Sequence, residues 1–143
     1  MQNQSFKDFP LSVEVMKGIE ELGFTDLFPI QAQAITPLLQ GKDVIGQAQT
    51  GTGKTAAFGI PMVERMNPEA REVQGLVLVP TRELAVQVAD HIRRLAKYVG
   101  VRVLPVYGGE PRPALPRAGH VHPVHALDAR AVVPGLRRDH RAL

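Results

Sequence analysis

The chain has no cysteine and no tryptophan among its 143 residues. Without cysteine, disulfide frameworks and cysteine-ligated zinc are excluded. No apolar run approaches the ~18 residues of a membrane-spanning helix, and the polar opening Met1-Gln-Asn-Gln-Ser5 does not read as a signal peptide. These absences predict a soluble cytoplasmic protein with no membrane association. The length suits one small domain at most.

A second set of absences divides the chain. From Pro111 to Leu143 there is no Ser, Thr, Asn, Gln, Lys, Glu, Ile, Met, Phe or Tyr, although these ten types supply 49 of the first 110 residues. The formal charge of +3 divides at the same point. Residues 1–110 carry 11 Lys+Arg against 12 Asp+Glu, whereas residues 111–143 carry 6 Arg against 2 Asp. The positive excess of the whole chain therefore says little about nucleic acid binding by its body.

Prolines 111, 113, 116, 123 and 134 are expected to interrupt any helical or strand period in this tail. His120, His122 and His125 have the look of a metal site, but no carboxylate or cysteine completes a ligand set, so chance composition is the preferred reading. A disordered basic arm for nucleic acid is an alternative for the whole tail. The preferred expectation is different. All eight residue types used here have codons beginning with G or C, as a GC-rich gene yields when read out of frame, so residues 111–143 are read as a frameshift product.

The first 110 residues have ordinary globular patterning. Ser12 is placed to cap a helix through about Leu22, with Gly23 ending it. Pro29 opens a second helix whose apolar face is Ile30, Ala34, Ile35, Leu38 and Leu39, and Gly41 stops it. Asp43–Gln47 reads as a short strand, and a helix is expected from about Lys54 to Met66. The continuous apolar run Gly75–Val79 has the form of a strand buried on both faces. A helix from Arg82 to about Tyr98 and a third strand at Val101–Val106 follow. Alternating strands and helices imply an α/β fold with a parallel sheet.

Between the first strand and its helix lies Ala48-Gln49-Thr50-Gly51-Thr52-Gly53-Lys54-Thr55. It fits the phosphate-loop pattern except that Ala48 stands where the first glycine is usual. Gly51 and Gly53 permit backbone angles that turn successive N–H groups inward at a helix N-terminus, making an anion-binding nest. Lys54 is suited to the β- and γ-phosphates, and the Thr55 hydroxyl to Mg²⁺. With strand and helix both in place, this is read as a nucleotide site.

Three further segments narrow the reading. Gly23-Phe-Thr-Asp-Leu-Phe-Pro-Ile-Gln31, with Phe6 upstream, resembles the Q motif of the DEAD-box RNA helicases. Ala48–Thr55 resembles their motif I, Pro80-Thr-Arg-Glu-Leu-Ala85 their motif Ia, and Gly108-Gly109 the glycine doublet that follows. Order and spacing agree across residues 6–110. The resemblance implies an incomplete RecA-like phosphate-loop NTPase domain over residues 1–110, followed by the tail at 111–143. It also implies ATP with Mg²⁺ as cofactors and RNA as partner.

The chemistry suits each assignment. The Gln31 amide donates and accepts at once, matching the N6 and N7 edge of adenine. Phe6 is suited either to stack on the purine or to pack in the core. Leu27 and Phe28 depart from the usual Pro-Thr of that motif. Pro80, Thr81 and Arg82 follow a strand at its carboxyl end, where ligands bind in open α/β sheets, and they suit an RNA phosphate. Gly108 and Gly109 let the backbone approach the sugar-phosphate chain.

The family's later motifs are missing from these 143 residues. No Glu follows Glu110 and no Ser or Thr follows Thr81, so neither Asp-Glu-Ala-Asp nor Ser-Ala-Thr is present. The expectation is an amino-terminal fragment of an ATP-dependent RNA helicase with no catalytic residues of its own. The alternative is a non-catalytic nucleotide- or RNA-binding module with a genuine basic arm. One further detail favours a shifted frame. Read one base later, the codons of Asp128–Ala131 with the first base of Val132 can spell Thr-Pro-Gly-Arg, which the family carries near this place.

Overall fold

The computed structural model describes residues 4–109, and the backbone course of 122–127 and 131–134. A one-turn 3₁₀ helix at Phe6–Asp8 precedes four α-helices: α1 (Val13–Glu21), α2 (Pro29–Leu39), α3 (Lys54–Glu64) and α4 (Arg82–Leu95). Three strands complete the described elements: β1 (Gly75–Val77), β2 (His122–Leu127) and β3 (Ala131–Pro134).

The helices begin where the sequence places them. The Ser12 hydroxyl accepts from the Val15 N–H at 3.4 Å, capping α1. Its own N–H and hydroxyl both donate to Glu64 Oε2 at 2.9 Å, which ties the start of α1 to the end of α3. Such a cap contributes about 1 kcal/mol. Pro29 occupies the first turn of α2, where a missing N–H is harmless. Thr81 caps α4 by accepting from the Leu84 N–H at 3.2 Å. Two helices end earlier than expected, α3 at Glu64 and α4 at Leu95, each closing in a turn through its last carbonyls.

Val15 and Ile19 of α1, Ile35 of α2, Ile60 and Val63 of α3, and Ile92 and Leu95 of α4 are all buried in one core. Val77, Val79, Val101 and Val103 pack against that core. Their alternates do not. Leu76, Leu78, Leu104 and Val106 remain between 38% and 51% exposed. Among the described residues the apolar run at Gly75–Val79 is covered on one face only, in place of the two-sided burial expected of it. A strand's side chains alternate between faces, and the described helices lie on the valine side.

The sheet also differs from expectation. Asp43–Gln47 and Val101–Val106 run without strand pairing, and Ile45 is 81% exposed. Apolar alternation supplies strand propensity, but a ladder needs a partner for its N–H and C=O groups. The partner β1 takes is β2, in parallel register from Gly75↔His122 to Val77↔Val124. β3 then pairs antiparallel with β2, from Val124↔Pro134 to Leu127↔Ala131, so the three-stranded sheet is mixed and not wholly parallel.

These strands also correct the expectation that prolines break every strand in the tail. Pro123 stands at the second position of β2 and Pro134 closes β3, near the ends where a lost donor matters least. Valines 124, 132 and 133 supply β-branched residues between them. Of the three histidines in the His120-x-His122-x-x-His125 pattern, His122 and His125 fall in β2, while His120 lies outside the described residues. Among the described residues no group of three or more His, Cys, Asp or Glu is placed to hold a metal. No described helix is long and apolar enough to cross a membrane.

Candidate functional site

The phosphate loop forms the joint between an extended segment and α3. Gly51 and Gly53 take φ of +78° and +74°, a left-handed backbone that other residues adopt only under strain. Left-handed turns of this kind at the head of a helix are the backbone element from which anion nests are built. The loop is also braced from within. The Thr52 hydroxyl donates to the Gln49 carbonyl at 2.5 Å. The Lys54 ammonium donates to the carbonyl of Gln49 at 2.7 Å and to that of Ala48. A phosphate bound here must take over those lysine protons.

Gln31 is the second part of the site. Its side chain is fully buried, a placement that leaves a primary amide no choice but to find partners in the protein. Oε1 accepts from the Phe28 N–H at 3.0 Å, and Nε2 donates to the Gly53 carbonyl at 3.2 Å. The amide has one further N–H and further lone-pair capacity beyond these two bonds. Twenty-two residues of chain thus close on the phosphate loop through one amide. Gly53 has no room for a larger residue, since a Cβ there would lie 2.9 Å from Phe28 Cδ2 and 3.1 Å from Gln31 Cδ.

Phe6 lies elsewhere. It is 3% exposed, in the core cluster, with its ring centroid 6.1 Å from that of Phe24. Of the two readings open for this residue, its geometry displays the core-packing one. Phe24 in turn lies 5.9 Å from the His91 ring. His91 Nε2 is buried with no hydrogen-bond partner among the described residues, and burial, helped by the Arg94 charge, pushes its imidazole below the ordinary range.

A second cluster forms at the start of α4. Pro80, Thr81 and Arg82 are exposed there, as are Gly108 and Gly109, and the fold brings the two segments together. An Arg82 Nη2 proton goes to the Gly108 carbonyl, and the guanidinium carbon lies 5.4 Å from the Tyr107 ring centroid. Gly109 has φ +89°, and a Cβ on it would lie 3.0 Å from Arg82 Nη2. The sequence reading named both glycines and passed over Tyr107. The available signal was an aromatic directly ahead of the doublet. Arg93, also on α4, donates from Nε and Nη2 to the Val103 carbonyl at 3.3 and 3.2 Å, so arginines near both ends of the helix hold the 101–109 segment.

For ATP the residues present fit the group by their donors: the N–H groups of a glycine turn at a helix start, the Lys54 ammonium and the buried Gln31 amide tied to that turn. For Mg²⁺ they offer the Thr55 hydroxyl in the first turn of α3.

The DEAD/DEAH box helicase family profile matches residues 28–127, reaching past Gly109 into β2. A DEAD-box ATP-dependent RNA helicase CshA from Bacillus subtilis is 55% identical over 106 residues, covering 74% of this chain and 22% of its own length. The CshA of Geobacillus kaustophilus is 55% identical over 136 residues, covering 95% of this chain and 28% of its own. The chain thus spans about a quarter of these relatives. Among solved structures, a DEAD box protein from the hyperthermophile Methanococcus jannaschii aligns with a TM-score of 0.68 at 35% identity, over 83% of this chain and 34% of that one. A hypothetical ATP-dependent RNA helicase from Sulfolobus tokodaii aligns at 0.63 and 42% identity, over 71% and 29%. With a RecA-like α/β architecture, a phosphate loop braced by Gln31 and a profile match over most of its length, this chain belongs to the DEAD/DEAH box helicase family.

Proposed function

We propose that this chain is the nucleotide-binding part of an ATP-dependent RNA helicase, taking ATP·Mg²⁺ on residues 48–55 and Gln31, and RNA on Pro80, Thr81, Arg82, Gly108 and Gly109. The observation that supports this reading is the Gln31–Gly53 hydrogen bond, which ties the Gln31 amide to the glycine-rich loop. A nucleotide spans both. Lys54 neutralises phosphate charge, the loop N–H groups orient it, and the spare N–H and lone pair of Gln31 favour adenine over guanine. Magnesium, when bound, supplies charge neutralisation between the phosphates.

Hydrolysis needs more than binding. A held metal, a positioned water and usually an arginine finger together supply several orders of magnitude in rate. Residues 1–143 contain no Asp-Glu-Ala-Asp and no Ser-Ala-Thr segment. We therefore assign binding without turnover to this chain by itself, with unwinding a property of a longer helicase.

Calorimetric titration of the 143-residue protein with a non-hydrolysable ATP analogue tests the reading. Binding that exceeds that of the GTP analogue and disappears in Lys54→Ala supports it. Equal affinity for the two purines, or no binding to either, overturns it. RNA-stimulated ATP turnover by the pure chain would overturn the assignment of binding alone.

A further inference from the structure

We infer that Tyr107 is a positioning residue for the RNA phosphate site: its ring holds the Arg82 guanidinium at the Gly108–Gly109 turn. This rests on the RNA reading above and deepens it. An exposed arginine has many rotamers of similar energy, and a phosphate that captures it must order it first. Here Arg82 is ordered in advance by three features. The Gly108 carbonyl accepts from Nη2, Gly109 leaves open the space in which a Cβ would meet that nitrogen at 3.0 Å, and the Tyr107 ring lies 5.4 Å from the guanidinium carbon.

These restraints differ in what RNA does to them. Hydrogen bonds use the edge of the guanidinium, where a phosphodiester oxygen competes with the Gly108 carbonyl for a proton. The cation–π contact does not use that edge. Arginine has five N–H donors, so after one is given to Gly108 the edge still has capacity for a bidentate phosphate. On binding, the carbonyl can yield a proton while the ring contact persists. The tyrosine hydroxyl has no part in this, so phenylalanine should serve as well. An aliphatic side chain should not, and neither should lysine in place of Arg82, which lacks the planar fork.

The test uses the full 143-residue chain and a fluorescent single-stranded oligouridylate, titrated by anisotropy over a range of salt. Tyr107→Phe is expected to bind as the wild type does. Tyr107→Leu is expected to bind about two- to fivefold more weakly, the effect of losing an exposed cation–π contact. In an Arg82→Ala background, where the salt slope falls by about one phosphate contact, Tyr107→Leu is expected to change nothing further. Equal loss from Tyr107→Leu with and without Arg82 overturns the inference, as does wild-type affinity in Tyr107→Leu. A wild-type chain with no RNA affinity overturns the RNA reading and this inference together. NMR supplies a check that needs no variant: the Arg82 side-chain protons of the wild type should be shifted upfield by the ring current. Unshifted protons overturn the positioning role even where RNA binds.

Discussion

The Gln31 side-chain nitrogen donates to the Gly53 carbonyl at 3.2 Å, joining a helix to a loop 22 residues further along the chain. The same carbonyl accepts from the Ala57 N–H at 3.0 Å, so it sits inside the first turn of α3 as well. Gln31 and the glycine-rich loop are thereby one mechanical unit, and the loop is tied to α2.

Removing that amide should therefore cost both stability and affinity. Gln31→Leu keeps the volume but leaves the Phe28 N–H without its acceptor, and the Gly53 carbonyl keeps only Ala57. A loss of about 1–2 kcal/mol in urea unfolding is expected, with weaker ATP-analogue binding. Gln31→Glu separates the two contacts, because a carboxylate accepts from Phe28 but cannot donate to Gly53. Unchanged unfolding in Gln31→Leu would show that the buried amide contributes nothing.

Gly18 sits in α1, where alanine usually stabilises a helix interior by about 1 kcal/mol. The opposite sign is expected here. A Cβ on Gly18 would collide with the Leu95 carbonyl oxygen and lie 3.0 Å from its carbon, and both atoms belong to the backbone at the end of α4. Neither can rotate aside, so α1 and α4 must separate. Gly18→Ala should destabilise by about 1–3 kcal/mol, read as a lower thermal midpoint. A midpoint at or above that of the wild type would mean that the two helices shift freely.

His91 makes stability depend on pH. Burial lowers its pKa, with Arg94 adding to the shift and Asp90 opposing it. The unfolded chain then binds a proton near the ordinary imidazole value of about 6.5 that the folded chain resists. Its contribution is constant above that value. Stability is lost as pH falls from there toward the lower folded pKa. His91→Phe removes the titration, so the stability difference between variant and wild type should change between pH 8 and pH 5. A constant difference would mean that the imidazole is as free to protonate folded as unfolded.

The exposed sheet face makes a separate prediction. Leu76 and Leu78 are 42% and 41% exposed, and exposed apolar side chains of this size drive association. The double variant Leu76→Thr, Leu78→Thr should raise the soluble monomer fraction in size-exclusion chromatography. Its thermal midpoint should stay close to that of the wild type, since neither residue is in the core. An unchanged monomer fraction would locate the association elsewhere.

Helix starts were legible because capping is local: Ser12, Pro29 and Thr81 each act within four residues of themselves. The phosphate loop was legible for the same reason. Strand pairing was not, because the partner of Gly75–Val77 lies at residues 122–124, and no spacing rule links two segments that far apart. Phe6 illustrates a different failure. Its residue type suited both purine stacking and core packing, and only the neighbouring Phe24 and the core cluster around them distinguish the two. The Arg82–Tyr107 contact was hidden in the same way, since 25 residues separate its partners in sequence.

One-sided packing bears on how such a domain is made. All four helices and the valine side of the strand segments come from the first 103 residues, so that layer can close as soon as this length has left the ribosome. The leucine side cannot. Whatever chain emerges next meets a finished half-core with Leu76 and Leu78 still bare on its reverse.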